Sequence, residues 1–599
     1  VRIRKQKEVR HFRTMAKGIS ITGSGIICAI GTDKESVFES LRERKTGIGR
    51  MQYLSSTHKE LPVGEVKLTN NDLKSLLGIV SNEDISRTTL LGTYALKQAI
   101  ENSGLTKEYM TEKRLTFVSG TTVGGMDVTE RHYHRMLNGE TDALHYVLQH
   151  DCGSNTKEIA KYCGLDCEAT TLSTACSSAL NAIILGVRML LANETDIVFA
   201  GGTEALSIFH LNGFNSLMIL DKEQCRPFDV TRQGLNLGEG AAYVVLERSD
   251  ESSLRNASVE AYIGGYGNYC DAFHQTATSP DGKGAFLAMR DALNMANLSA
   301  ESIDYINAHG TGTPNNDQSE SAALCRLFGE NIPPISSTKS YTGHTTSASG
   351  SIETVISLIA MHNDFIPINL SWKEQSEGCI VPYMGNDKHQ LHYVLCNSFG
   401  FGGNDSSLLL SDKEISLHEI DDLKCSIIGE NEITSVEELK DLKQYVSSME
   451  ARRMGKITKA AFLSSMRALE MVGIERPDAI VVATRFGMLE NGEDILNNLV
   501  RYGEEGISPT QFMQSTHNTL AGALAIKFKC HGYNITYSHG EESLDWAVRD
   551  AKKLLAEGLA KTVLVGIHDE SPEIFRSFHE RLRVSVPSEL YSKSFILKV

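Results

Sequence analysis

A chain of 599 residues is too long for one ordinary domain, and three or four units of usual size are expected. Its 41% hydrophobic and 22% charged residues are ordinary for a soluble globular protein. A formal net charge of −16 argues against nucleic acid or an anionic membrane surface as partner, and an acidic protein partner would need a local basic patch.

The first fourteen residues are rich in arginine and lysine and lack an apolar core, so they are not a secretory signal. Met15 reads as the natural start, and residues 1–16 are expected to be a disordered extension. A strand over 19–29 follows, with a glycine turn that matches a nucleotide-binding loop only weakly. An amphipathic helix over 86–105, a strand over 115–118, an apolar helix from Ala179 and a strand over 196–200 complete a first α/β unit. From about residue 260 the alternation begins again. Strands are expected over 261–266, 303–308, 335–337, 393–397 and 407–410, with helices over 284–296, 319–328 and 349–362.

A charged connection over 411–424 leads to a third α/β unit, which reads as a degenerate repeat of the first. Leu544 and the helix around Leu554 repeat Leu180 and Leu190 at an offset of 364 residues, which sets Gly540 against Cys176. The expected boundaries are 17–255, 256–412, a 413–424 linker and 425–599. The twelve cysteines follow neither a disulfide rhythm nor a zinc spacing, which reads as reduced thiols in a cytoplasmic protein. No apolar run is long enough to span a bilayer; Arg188 interrupts the most hydrophobic helix.

The chemistry gathers at strand ends. The stretch Thr171-Leu172-Ser173-Thr174-Ala175-Cys176-Ser177-Ser178 sets one cysteine among small residues just before a helix. Free N–H groups and the dipole at that helix start are expected to stabilise a thiolate, although a free cysteine also packs well as a small buried apolar residue. Asn307-Ala308-His309-Gly310-Thr311-Gly312-Thr313 supplies a histidine beside two hydroxyls. Lys339-Ser340-Tyr341-Thr342-Gly343-His344 supplies a lysine and a second histidine, and Gly400-Phe401-Gly402-Gly403-Asn404 a glycine turn with exposed amides. A lone histidine is most often structural; two in Gly/Thr-rich loops plus a helix-start cysteine form a catalytic set.

These motifs, with Cys225-Arg226-Pro227-Phe228-Asp229 and Gly238-Glu239-Gly240, resemble in order those of the elongating β-ketoacyl-acyl carrier protein synthases over about residues 17–412. The resemblance implies a thiolase fold of two related α/β halves, plus a third half-like unit. It implies decarboxylative Claisen condensation of malonyl-acyl carrier protein with an acyl-acyl carrier protein. Cys176 would carry the acyl chain, and His309 and His344 would promote decarboxylation and hold the enolate. Lys339 would set the charge of the cluster and Glu353 would brace it. The amides of Cys176 and Phe401 would form the oxyanion hole, Phe401 would gate the acyl pocket, and Thr311 and Thr313 would bind pantetheine. No metal or cofactor is implied beyond the phosphopantetheine arm on the carrier protein. A homodimer or heterodimer through the first-unit sheet edge is implied as well.

Two stretches depart from the family pattern: Thr345-Thr346-Ser347-Ala348-Ser349-Gly350 and the acid Asp405. They are expected to bear on substrate identity without touching the catalytic set. The third unit resembles the stand-alone ketoacyl synthase-like domains of polyene and flexirubin-type pigment clusters, through Gln514-Ser515-Thr516-His517-Asn518. Its presence points to specialised rather than housekeeping elongation. His517, without a cysteine partner or a C-terminal half, reads as structural rather than as a second active site. The competing reading of the whole chain is a non-catalytic partner like a chain-length factor, which typically lacks the cysteine kept here.

Overall fold

The computed structural model describes residues 18–586 and 588–599; the extension expected over 1–16 lies outside them. The centre is a single sheet of fifteen strands. In chain order these are β1 (Ile19–Cys28), β2 (Leu115–Gly120), β3 (Glu168–Leu172), β4 (Ile197–Glu204), β5 (Gly240–Arg248), β6 (Ala261–Cys270), β7 (Tyr305–Asn307), β8 (Ile335–Ser336), β9 (Tyr393–Gly400) and β10 (Asn404–Ser411). The last five are β11 (Ser426–Ile433), β12 (Ala479–Ala483), β13 (Asn534–Tyr537), β14 (Thr562–Glu570) and β15 (Leu590–Lys598).

Three five-stranded modules share one topology. The first runs β3-β2-β4-β5-β1, the second β8-β7-β9-β10-β6 and the third β13-β12-β14-β15-β11. In each, the first three strands are parallel and the last two antiparallel. The central strands are buried runs rich in β-branched and small residues, as a sheet covered on both faces requires, whereas the edge strand β11 is largely exposed. The fold class is the expected one, α/β in repeated halves. The first two modules join through antiparallel β1 and β6.

The third module joins the first through antiparallel β3 and β13, where Tyr537 lies opposite Leu172. Ser173 N donates to Thr536 O and Ser538 N to Thr171 O, both at 2.9 Å, so the junction has local two-fold symmetry. The edge strand at which a second chain was expected is therefore paired within the chain. The fully buried Arg188 closes the joint: its guanidinium meets Asp550 and Glu557 of the third unit and lies over the Tyr533 ring.

The helices that position the site are α1 (Arg87–Ser103), α2 (Cys152–Tyr162), α3 (Ser178–Leu191), α4 (Lys283–Met295), α5 (Pro314–Phe328), α6 (Ser349–His362), α7 (Lys456–Met471), α8 (Thr519–Phe528) and α9 (Ser543–Glu557). The helix expected from Ser319 begins five residues earlier, at Pro314, because proline fits the first helical turn, where its missing N–H has no partner to lose. The 411–424 connection is packed: Gly18 N donates to Glu414, Ile420 N donates to Leu191 O, and Leu417 is buried. Among the described residues, no helix is long and apolar enough to cross a membrane.

Candidate active site

The nucleophile turn is built by strand and helix together. After β3 the chain reverses at Ala175, whose φ of +51° is left-handed, and Cys176 follows directly before α3. Ser178 Oγ accepts from Thr174 N at 2.8 Å and donates to Ala175 O at 2.6 Å, which locks the turn. A Cβ on Gly400 would lie 2.8 Å from Thr174 O, so the glycine loop packs directly onto the cysteine turn only because residue 400 has no side chain.

The second module brings the remaining groups. His344 Nε2 lies 3.0 Å from Cys176 Sγ, and the rings of His309 and His344 meet edge to face with centroids 5.4 Å apart. Lys339 Nζ is paired with Glu353 Oε1, both side chains being buried. The amides of Phe401 and Cys176 face the sulfur, and both act to lower its pKa. Thr311 and Thr313 hydroxyls bond to each other at 2.9 Å. The structure thus gathers Cys176, His309, His344, Lys339, Glu353 and Phe401 in one place, with the threonine pair on the turn that follows His309.

Burial sets the protonation. It pushes the Cys176 thiol up to about 11, and the Lys339 charge and the two amides only partly offset this. The expected resting thiolate is thus corrected to a thiol: a helix-start dipole is weak against full desolvation of an anion. His309 and His344 are held well below the usual imidazole range by burial and then by Lys339, so both are neutral. Glu353 is raised to about 7 by burial, against the pull of Lys339. His309 Nδ1 is buried and has no hydrogen-bond partner among the described residues.

Several functional neighbours had no sequence signal. His344 Nδ1 lies 2.9 Å from Ser349 Oγ, within the stretch expected to stay clear of the catalytic set. That expectation is corrected: the polar run after His344 reaches back because Ser349 opens α6 beneath the ring. A hydroxyl both donates and accepts, so Ser349 suits either imidazole tautomer. Glu320 of α5 accepts from the amides of His309 (2.9 Å) and Gly310 (2.7 Å), and Ser398 Oγ donates to Cys176 O at 2.9 Å. The other departure, Asp405, is buried with its pKa well above the carboxylate range, through burial and then Asp271; it lies 2.1 Å from where a Gly284 Cβ would stand.

Cys176 Sγ and ring nitrogens of His309 and His344 all lie within 4.8 Å of one another, the one such three-ligand group among the described residues. A thiolate and two imidazoles are zinc-type ligands. Here burial holds the sulfur as a thiol and leaves its proton to be displaced first.

Among the described residues, the third unit carries no such set. Its turn repeats the first with an offset of 365, not 364: Ser543 Oγ accepts from His539 N at 2.7 Å and donates to Gly540 O at 2.8 Å, as Ser178 does with Thr174 and Ala175. Gly540, with φ +63°, therefore matches Ala175, and Glu541 stands where Cys176 does. One residue of slip is invisible in a helix pattern, whereas the capping bonds fix it. At the same offset His517 faces Cys152 of the first unit at 3.8 Å, both buried. His517 thus has a cysteine neighbour after all, supplied by the other unit.

A family model of the β-ketoacyl synthase N-terminal domain matches residues 16–252, and one of the C-terminal domain matches 260–373. A second β-ketoacyl synthase N-terminal model matches 430–594. The 3-oxoacyl-[acyl-carrier-protein] synthase 2 of Coxiella burnetii is 32% identical over 410 residues, covering 66% of this chain and 98% of that protein. The ishigamide ketosynthase/chain length factor superposes with TM-score 0.63 at 29% identity, over 67% of this chain and 100% of that one. The PfaC keto synthase–chain length factor superposes with TM-score 0.77 over 97% of this chain and 78% of that chain, and at 17% identity this likeness is one of fold.

Proposed function

Because the chain belongs to the β-ketoacyl synthase family, we propose that its Cys176–His309–His344 centre condenses a malonyl unit with an acyl chain, both presented on an acyl carrier protein. The observation that carries this reading is His344 Nε2 at 3.0 Å from a buried cysteine sulfur that two amides also face.

In loading, Cys176 Sγ attacks the acyl thioester carbon while its proton passes to His344 Nε2. A thiol near pKa 11 beside a neutral imidazole does not ionise beforehand, so proton transfer and bond formation are coupled. The carbonyl oxygen takes the negative charge between the Cys176 and Phe401 amides. Collapse expels the carrier thiolate, which recovers the proton from His344.

In condensation, His309 donates to the malonyl thioester oxygen, and His344 donates from Nε2 in its other tautomer, with the Ser349 hydroxyl then donating to Nδ1. The bond to the carboxylate breaks, CO2 leaves, and its electron pair becomes the enolate. Neutral imidazoles suit this step, since a cation there would hold the carboxylate in place. The enolate carbon attacks the acyl-Cys176 carbonyl, and the sulfur leaves and takes a proton from solvent. Burial keeps the two imidazoles neutral, and the charge of Lys339, paired with Glu353, reinforces this. Thr311 and Thr313 are the hydroxyls offered to the pantetheine arm, and we assign no cofactor beyond that arm.

The third unit takes the place of a partner subunit inside the chain. The β3–β13 pairing supports this, as does the extent of the likeness to PfaC. The likeness, at 29% identity, to a ketosynthase/chain length factor supports specialised, polyene- or polyketide-type elongation over housekeeping fatty-acid synthesis. The non-catalytic, chain-length-factor-like role falls to the third unit, where Glu541 replaces the nucleophile. The test is intact-protein mass spectrometry with saturated four- to twelve-carbon acyl-acyl carrier proteins. A shift of one acyl group that disappears in Cys176→Ser is expected; no shift with any donor overturns the reading.

A further inference from the structure

The Gly400–Gly403 loop, which carries the Phe401 amide, is held from the third unit. Asn518 Nδ2 donates to Phe401 O at 2.7 Å and to Asn404 Oδ1 at 3.0 Å. Gly402 makes this approach possible: its φ is +82°, and a Cβ there would lie 2.8 Å from Asn518 Nδ2. Behind it runs a line of asparagines. Asn404 Nδ2 donates to Asn534 O (2.9 Å) and Oδ1 (3.0 Å), and Asn534 N donates to Asn268 Oδ1 at 3.1 Å. Asn268 Nδ2 donates to Asn181 Oδ1 at 2.8 Å, and Asn181 Nδ2 to Thr174 Oγ1 at 2.9 Å. All five asparagines are buried. The run starts in the third unit, crosses the Phe401 loop, and ends in the turn that bears Cys176. An outer apolar brace accompanies it: Phe401 stacks on Phe214 at 5.7 Å, and Phe214 packs on Phe512 of the third unit at 5.3 Å.

In this run every asparagine donates onward, Asn534 through its backbone N–H and the others through Nδ2, so the run has one direction. Phe401 is gripped on both sides of its Cα, with its N–H towards Cys176 and its carbonyl on Asn518. We propose that Asn518 is a positioning residue for the condensation reaction, by which the third unit holds the Phe401 amide in register with the Cys176 sulfur before the acyl thioester arrives. This rests on the function proposed above. A donor aimed in advance costs no reorganisation at the moment of reaction, which gives a half-domain without a nucleophile a part in the chemistry.

The test compares the unmodified full-length chain with Asn518→Ala and with Asn518→Leu, which keeps the volume and loses the donor. Each is mixed with the four- to twelve-carbon acyl-acyl carrier protein that loads the unmodified chain fastest, and Cys176 acylation is followed by quenched intact-mass spectrometry. Loss of an oxyanion donor costs about 10²–10³ in rate; loosening one is expected to slow the saturated acylation rate constant about tenfold. The half-saturating donor concentration and the final stoichiometry of one acyl group per chain are expected to be unchanged. The stoichiometry counts folded protein, so a merely structural role lowers the final stoichiometry and leaves the rate constant alone. Wild-type rate constants in both variants, or a loss confined to the stoichiometry, overturn the inference. An unmodified chain that no donor loads would instead remove the function on which it rests.

Discussion

The turns Ser173–Ser178 and Ser538–Ser543 share a left-handed residue and the same serine cap, and only the first holds a cysteine. In the first, the cysteine meets two histidines brought by the second module. In the third unit the equivalent residue is Glu541, whose side chain is 76% exposed. Among the described residues, no histidine-bearing module encloses it. A helix-start turn is thus a scaffold, and enclosure by a histidine-bearing module makes it a site. The third unit keeps the scaffold for docking, through β3–β13 pairing and the Arg188 cluster.

The largest effect expected from breaking this contrast is at the histidines. His309→Ala is expected to retain acyl loading of Cys176 and to lose malonyl decarboxylation by about 10²–10³-fold, the cost of one donor to a developing oxyanion. Release of labelled CO2 measures the second, and intact mass the first. Equal loss of both would show that the two steps do not divide as proposed.

Next is the joint. Arg188→Met leaves Asp550 and Glu557 buried without their cation, which is expected to cost about 3–5 kcal/mol. Urea unfolding followed by tryptophan fluorescence reads this directly, since Trp546 lies in α9 beside the joint and the chain has one other tryptophan. An unchanged midpoint would mean that the third unit is held mainly by other contacts.

A smaller effect separates the units by pH. Glu130 accepts from the amides of Ile208 and Phe209, and burial raises it to about 8; Glu493, in the matching place, accepts from Phe575 N and rises to about 6. A raised carboxylate holds a proton that the unfolded chain has released, so its stabilisation is complete below about pH 4.5 and is lost as pH rises through the folded pKa. The melting temperature is expected to fall between pH 6 and 8.5. Glu130→Gln should lessen that fall, to which Glu570 of the third unit, raised to about 8, also contributes, and Glu493→Gln should not, having its effect between pH 4.5 and 6. The same slope in Glu130→Gln as in the unmodified chain would reject the assignment.

The smallest is a null effect. Glu541→Cys puts a thiol in the cysteine's place, and is expected to add one alkylatable sulfur while acyl loading stays at one group per chain. A second acyl group would show that the turn alone suffices.

Much of this was legible in one sequence. Cys176, His309, Lys339 and His344 sit in short runs of Gly, Ser and Thr at strand ends, and such runs are local signals: each is readable within a few residues, wherever the chain later goes. The repeat was legible for the same reason, since helix periodicity survives when the functional residue is lost. Gly540 against Cys176 was a one-residue misalignment that only the Ser543 cap corrects. Ser349, Glu320 and Asn518 carried no signal, because nothing in a serine, an acid or an asparagine says which ring or carbonyl it will meet. The protonation of Cys176 was also not there to read, because desolvation in the folded chain outweighs the local helix dipole. The sequence by itself determined which residues can do chemistry and that the chain repeats a half. Tertiary structure decided which half is enclosed, that the third unit fills the first unit's edge, and which of its side chains reach the site, because those outcomes depend on burial and on contacts between residues more than a hundred positions apart.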